Sequence, residues 1–336
     1  TANIKINEAN FFAEAFEKVE DISVNPSELV DEHLKITVTT ELNNGTKTEK
    51  VYKNDDLTTK FKKGDADEWN STIKFDTGED AIYTIKVECT DFSGNKAETA
   101  EKTFIVDKKD PCINVDFSNN DVRNGKYFNA DRTAKITIKE RNFNAADVEL
   151  NVTADKAVGN IADYAEYLKN SDNWTNTGDT HTAEITFSTE AFYKFDISYT
   201  DMSGRKNEPV NYGDSKAVTD FVIDKTAPVN SDIKINDSSV LARGGVAFEK
   251  FYRNDVTVKF STNADISGIK SVKYQKVNDL SSYNKNGTWN EYDSQNGVVV
   301  KPNEKFVIYF MVEDMAGNTV IVNSTGIVVD DKAPIG

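Results

Sequence analysis

Histidine is almost missing from this chain: of 336 residues, only His33 and His181 carry an imidazole. They stand far apart in non-equivalent settings, and both are expected at the surface. General acid–base and nucleophilic chemistry usually recruit histidine. No Cys-x-x-Cys, Gly-rich phosphate loop or nucleophile motif stands in for it. The chain is therefore expected not to be an enzyme. Cysteine is as rare, with Cys89 and Cys112 alone, which excludes a disulfide-stapled scaffold. Long apolar runs are missing too. Nothing approaches the roughly 18–20 residues of a membrane-spanning helix, and no secretory leader opens the sequence. Basic residues are outnumbered, 40 Lys and Arg against 56 Asp and Glu, for a formal net charge of −16. Nucleic-acid backbones and anionic membranes would be repelled. The acidity leaves two readings: a solvated surface that resists association, or sites for divalent cations.

Proline is scarce as well, six in all, yet three of them share one setting. Val106-Asp107-Lys108-Lys109-Asp110-Pro111 returns as Ile223-Asp224-Lys225-Thr226-Ala227-Pro228 and as Val329-Asp330-Asp331-Lys332-Ala333-Pro334. Each copy follows a short apolar run. An apolar run that stops at Asp-x-x-x-Pro reads as a last strand leaving a folded unit, because proline cannot continue a ladder. The joint aspartates lie 117 and 106 residues apart, one domain length. The sequence therefore divides into repeats at 1–107, 108–224 and 225–336.

Inside each repeat a second motif returns. Tyr83-x-Ile85-x-Val87-x-Cys89-x-Asp91 matches Tyr193-x-Phe195-x-Ile197-x-Tyr199-x-Asp201 and Phe306-x-Ile308-x-Phe310-x-Val312-x-Asp314, each followed three residues later by glycine. Period-two alternation marks a strand with one buried face. Asp-x-(Ser/Ala)-Gly is turn chemistry, with the carboxylate accepting from nearby backbone N–H groups and glycine taking positive φ. The return from Gly204 to Asp224 is longer than its counterparts, which places extra loop near Pro209 to Ser215.

Repeat 1 opens on Thr1-Ala2-x-Ile4-x-Ile6-x-Glu8-x-Asn10-Phe11. Repeat 2 holds the same pattern, Thr133-Ala134-x-Ile136-x-Ile138-x-Glu140-x-Asn142-Phe143, well inside itself. Repeat 1 thus lacks the segment that runs from Asp110 to Arg132 in repeat 2, and the protein in the cell is expected to be longer at this end. Helical spacing predicts short insertions at Phe11 to Val19 and at Ile161 to Leu168. Each repeat has one tryptophan, Trp69, Trp174 or Trp289, expected as a plug between sheets rather than a sugar-stacking platform. Cys89 and Cys112 fall at opposite poles of their domains, separated by about 20 Å of strand. A disulfide needs Cα atoms within about 7 Å. Both are expected as free, buried thiols.

Seven or so short strands per repeat, hairpin-linked at the end, predict an all-β chain of three tandem β-sandwich domains. The pairing of Asp-x-(Ser/Ala)-Gly-Asn with a closing Val-Asp-x-x-Ala-Pro resembles the bacterial Ig-like repeats of Gram-positive cell-surface proteins, over essentially the whole length. The resemblance implies three Ig-like domains in an extracellular, wall-attached or secreted protein, serving as stalk or adhesive units. It departs at Arg205, where Asn95 and Asn318 stand in the other repeats, and at Lys109-Asp110.

In such a sandwich the turn before the last strand lies at the pole that receives the preceding linker. Asp201 is then expected near Asp107 and Asp110, and Asp314 near Asp224. Oxygen-rich clusters of this kind suit Ca²⁺; turn capping with solvated linker charge is the other reading. Lys–Asn cross-links, another resource of such proteins, need an asparagine in the closing strand. Phe104-Ile105-Val106 and Phe221-Val222-Ile223 supply none. The expected function is a non-catalytic extracellular spacer, monomeric, holding a distal domain away from the cell wall. The alternative is an adhesin-type module gripping a host or bacterial surface glycan or protein through Phe11 to Val19 and Ala157 to Asp179. No nucleic acid and no direct membrane insertion are expected in this segment.

Overall fold

In the computed structural model, residues 2–8, 34–42, 45–52, 62–65, 67–73, 80–91, 94–263 and 266–335 are described. Their apolar side chains gather into three separate cores, within residues 2–106, 113–223 and 233–329. Each core lies between two sheets. The result is three tandem Ig-like β-sandwich domains.

The second domain shows why the alternation folds this way. Arg132–Lys139 pairs antiparallel with both Cys112–Phe117 and Thr180–Phe187, so Ala134, Ile136 and Ile138 face inward with Ile113, Val115, Ala183 and Ile185. The opposing sheet orders Val148–Asp155, Ala191–Tyr199, Asp220–Ile223 and Tyr127–Phe128, the last two running parallel. Tyr193, Phe195, Ile197 and Tyr199 are all buried, as the motif requires. The third domain repeats the plan, with Phe306, Ile308, Phe310 and Val312 at zero exposure. Its last strand, Gly326–Val329, runs parallel to Phe248–Tyr252.

In the first domain Ala2–Asn7 pairs with Glu68–Ile73. Leu34–Leu42 and Ala100–Val106 flank Ala81–Cys89. Among the described residues it has no counterpart of Cys112–Phe117 or of Tyr127–Phe128. Among the described residues, its core gathers Ile4, Ile6, Leu34, Ile36, Trp69 and Tyr83 with their neighbours.

The helix expected in repeat 2 forms at Tyr164–Lys169, capped by the Asp163 carboxylate on the N–H of Glu166 at 3.0 Å. It seats Tyr164 and Leu168 in the core, and Trp174 beside it donates to the Leu168 carbonyl at 2.7 Å. The helix expected at Phe11 to Val19 and the surface position of His33 fall outside the described residues. The extra loop of repeat 2 bonds along the edge of Cys112–Phe117: Val115 donates to the Asn211 carbonyl, and Asn211 donates back to Ile113.

Three expectations need correction. His181 is not at the surface. It shares the inward phase of Ala183, Ile185 and Phe187, stacks on Phe143 at 4.3 Å, and bonds the Glu140 carbonyl and Asn176 through its two nitrogens. Cys89 and Cys112 are free but only half-buried. Cys89 ends the strand Ala81–Cys89 and Cys112 begins the strand Cys112–Phe117, so each sits at a strand end rather than in mid-core. Trp69 and Trp174 are buried plugs, whereas Trp289 sits half-exposed in a loop, its ring near perpendicular to that of Tyr283.

Candidate functional site

The sequence directs attention to the joints, and their chemistry starts from two recurring aspartates. The turn aspartate takes the same role in every domain. Asp91, Asp201 and Asp314 each accept, through Oδ1, the backbone N–H four residues on, at 2.7, 2.8 and 2.8 Å. Gly94, Gly204 and Gly317 sit at φ of 86°, 85° and 85°, a conformation that costs other residues about 1–2 kcal/mol. The joint aspartate caps as well: Asp107, Asp224 and Asp330 each accept from the N–H two residues on. Turn capping is therefore present at every predicted aspartate of these two classes. What differs is how the two classes meet.

At the second joint the two domains are clasped by amides. Asp224 is fully buried, and its Oδ2 accepts from the backbone N–H of Ser267 in the next domain at 3.1 Å. Asn318, in the turn of the third domain, donates to the Asp224 carbonyl at 2.9 Å and to Asp314 Oδ2 at 2.9 Å. A loop of the second domain completes the contact: Asn124 donates to the Met315 carbonyl at 2.6 Å, and Arg123 packs over Gly317.

The first joint uses charge instead. One carboxylate oxygen each from Asp107, Glu140 and Asp201 lies within 4.8 Å of the other two. Glu140 follows the strand Arg132–Lys139, and Asp201 opens the turn after Ala191–Tyr199, so two strand ends deliver them to one pole. Both are 5% exposed. The three line a cleft of about 360 Å³ with Asn142 and Met202. Glu140 accepts from the Asn142 N–H at 3.0 Å, and Asn142 Nδ2 donates to Asp107 Oδ2 at 3.3 Å. Burial, with Asp107 and Asp201 repelling its charge, pushes the Glu140 carboxyl up to about 7. Arg141 ties the domains together beside the cluster, donating to the Asp80 and Glu41 carbonyls at 3.1 and 3.3 Å.

Arg205 explains an unusual atom. In the other two turns the residue at this place is asparagine, and its amide donates to the second carboxylate oxygen: Asn95 to Asp91 Oδ2 at 2.7 Å, Asn318 to Asp314 Oδ2 at 2.9 Å. Arg205 turns outward to Asp110 at 3.0 Å. Asp201 Oδ2 is left buried with no hydrogen-bond partner.

Of the expected pairs, Asp107 and Asp201 do come together. Asp110 does not join them, because its partner is Arg205. Asp224 and Asp314 are bridged by Asn318. Glu140 is the residue sequence reasoning missed as a site member. Its signal was present, since Glu8 ends the equivalent strand of repeat 1 at the same spacing.

No protein-family model and no curated protein matches the chain. Among solved structures it is similar to a segment of titin domains at 12% identity, covering 88% of this chain and 85% of that one, with a TM-score of 0.25. It is similar to extracellular cadherin domains 3–6 of protocadherin gamma B2 at 14% identity, covering 88% and 65%, with a TM-score of 0.25. It is also similar to a Bacteroides ovatus protein of a mixed-linkage glucan utilization locus, in complex with a mixed-linkage heptasaccharide, at 11% identity. That match covers 89% and 60% with a TM-score of 0.13. With scores this low, the domain class rests on the strand order given above.

Proposed function

We propose that the chain is a non-catalytic extracellular spacer of a bacterial surface protein, folded as repeats 1–107, 108–224 and 225–336, that holds a distal domain at a set distance. The observation that carries this reading is the buried joint aspartate. A free hinge would leave linker carboxylates in water, where they are cheapest. Here Asp224 lies at zero exposure between two domains, bonded to the backbone of the next one. Arg141 similarly reaches across the first joint to carbonyls at Asp80 and Glu41. Such contacts fix the angle between neighbours, which is what a spacer needs and a string of loose domains lacks.

The adhesin reading has less support in repeat 2. The insertion at Ala157 to Asp179 spends Tyr164, Leu168 and Trp174 on its own core, leaving Val158 and Tyr167 as its exposed large apolar residues. An insertion that fills a core is explained without a ligand.

Small-angle scattering of the whole chain in millimolar Ca²⁺ tests the spacer. Three domains of about 35 Å each with fixed joints give one sharply defined maximum dimension. A broad ensemble of compact and extended forms would remove the reading.

A further inference from the structure

We propose that the first joint binds one divalent cation of the size of Ca²⁺ through Asp107, Glu140 and Asp201, and that the second joint is built to hold without one. The proposal deepens the spacer reading and rests on it for its purpose.

The first part stands on three independent observations. The oxygens are close enough to share one ion: Ca²⁺ takes oxygens at about 2.3–2.6 Å, so any two of its ligands lie no more than about 5.2 Å apart. All three oxygens fall within 4.8 Å of one another. Next, Asp201 Oδ2 is a buried carboxylate oxygen with no hydrogen-bond partner, on a residue only 5% exposed. Such an atom costs stability unless something positive meets it. Finally, the cluster opens into the cleft lined by Asn142 and Met202, so an ion can enter and carry waters in its remaining positions.

The second joint is the control that the molecule itself supplies. Among the described residues no third carboxylate joins Asp224 and Asp314, and the backbone N–H of Ser267 meets Asp224 instead. The oxygens of its two aspartates already face N–H donors. Asp224 takes Thr226 and Ser267, while Asp314 takes the backbone and side-chain amides of Asn318. A cation there would have to displace amides that fit. The exchange of Asn318 for Arg205 between the joints thus separates a charge-lined joint from an amide-lined one. Arg205 acts as a positioning residue, because by turning to Asp110 it frees the Asp201 oxygen.

Isothermal titration calorimetry of CaCl₂ into the EDTA-stripped chain tests this. One saturable ion per chain is expected, lost in Glu140→Gln. In Arg205→Asn it should weaken several-fold, because the new amide competes for Asp201 Oδ2. Glu140→Gln should unfold in EDTA no earlier than the parent, since it removes a repelled buried charge, so loss of binding cannot be laid to misfolding. Weak, non-saturable uptake that Glu140→Gln leaves unchanged would be the response of an acidic surface and would overturn the proposal. Two equal sites would overturn its second half. Calorimetry counts ions whatever the domains' arrangement, so failure here leaves the scattering test of the spacer intact.

Discussion

Glu140 shows how much one side chain can decide. Its carboxyl is held up at about 7 by burial and by its two acidic neighbours. A carboxyl raised in the folded state contributes stability that is complete below its unfolded value and is lost as pH rises through the folded one. In EDTA the melting temperature should therefore fall between about pH 5 and pH 8 by several degrees, and the fall should be smaller in Glu140→Gln. Parallel pH profiles for the two proteins would contradict the assignment. Arg132 is the opposite case, a cation buried at zero exposure. Its guanidinium lies 4.0, 4.3 and 4.9 Å from the rings of Phe117, Phe128 and Phe221. It donates to the carbonyls of Asn119, Lys216 and Ala217, which pins the extra loop of the second domain to its core. Arg132→Met keeps the packing but leaves those carbonyls without their donor. A loss of about 2–3 kcal/mol, measured by chemical denaturation, is expected. A change under about 0.5 kcal/mol would mean that the loop finds other partners.

At the scale of elements, the repeated turns allow a matched comparison. Gly94 and Gly317 have the same positive φ, but a Cβ at Gly94 would meet open space whereas at Gly317 it would strike Arg123 of the preceding domain. Gly94→Ala should cost about 1–2 kcal/mol. Gly317→Ala should carry the same backbone cost and should also push the flexible Arg123 side chain aside, loosening the second joint; an unchanged joint would mean that the Arg123 contact contributes nothing. The strands, the turns and the Tyr164–Lys169 helix were legible in the sequence because alternation, turn chemistry and helical spacing are local. His181 was expected at the surface and is buried: it shares the inward phase of Ile185 and Phe187, and the Glu140 carbonyl and Asn176 satisfy its nitrogens. Asp110 went the other way: its place in the linker pointed to the joint, and a salt bridge to Arg205 took it elsewhere. Glu140 was seen as a strand marker and missed as a site residue, since nothing local says which residue ends at which pole.

At the scale of the whole molecule, the two joints divide the work. The second is closed by hydrogen bonds that exist in any solution. The first gathers the carboxyl groups of Asp107, Glu140 and Asp201 around one point. Removing the clasp with Asn318→Ala should leave each domain folded yet broaden the arrangement of the second and third domains, visible as a larger spread in scattering profiles. An unchanged spread would assign the joint to Asn124 and Arg123 instead. The most direct measurement is a pair of distance distributions by pulsed electron paramagnetic resonance. Spin labels would bracket each joint in turn, with Cys89 and Cys112 replaced by serine, in EDTA and then in Ca²⁺. The distribution across the second joint should be narrow in both conditions. The one across the first should be broad in EDTA and narrow in Ca²⁺. Broad distributions at both joints in Ca²⁺ would contradict the account of this chain as a spacer with fixed couplings.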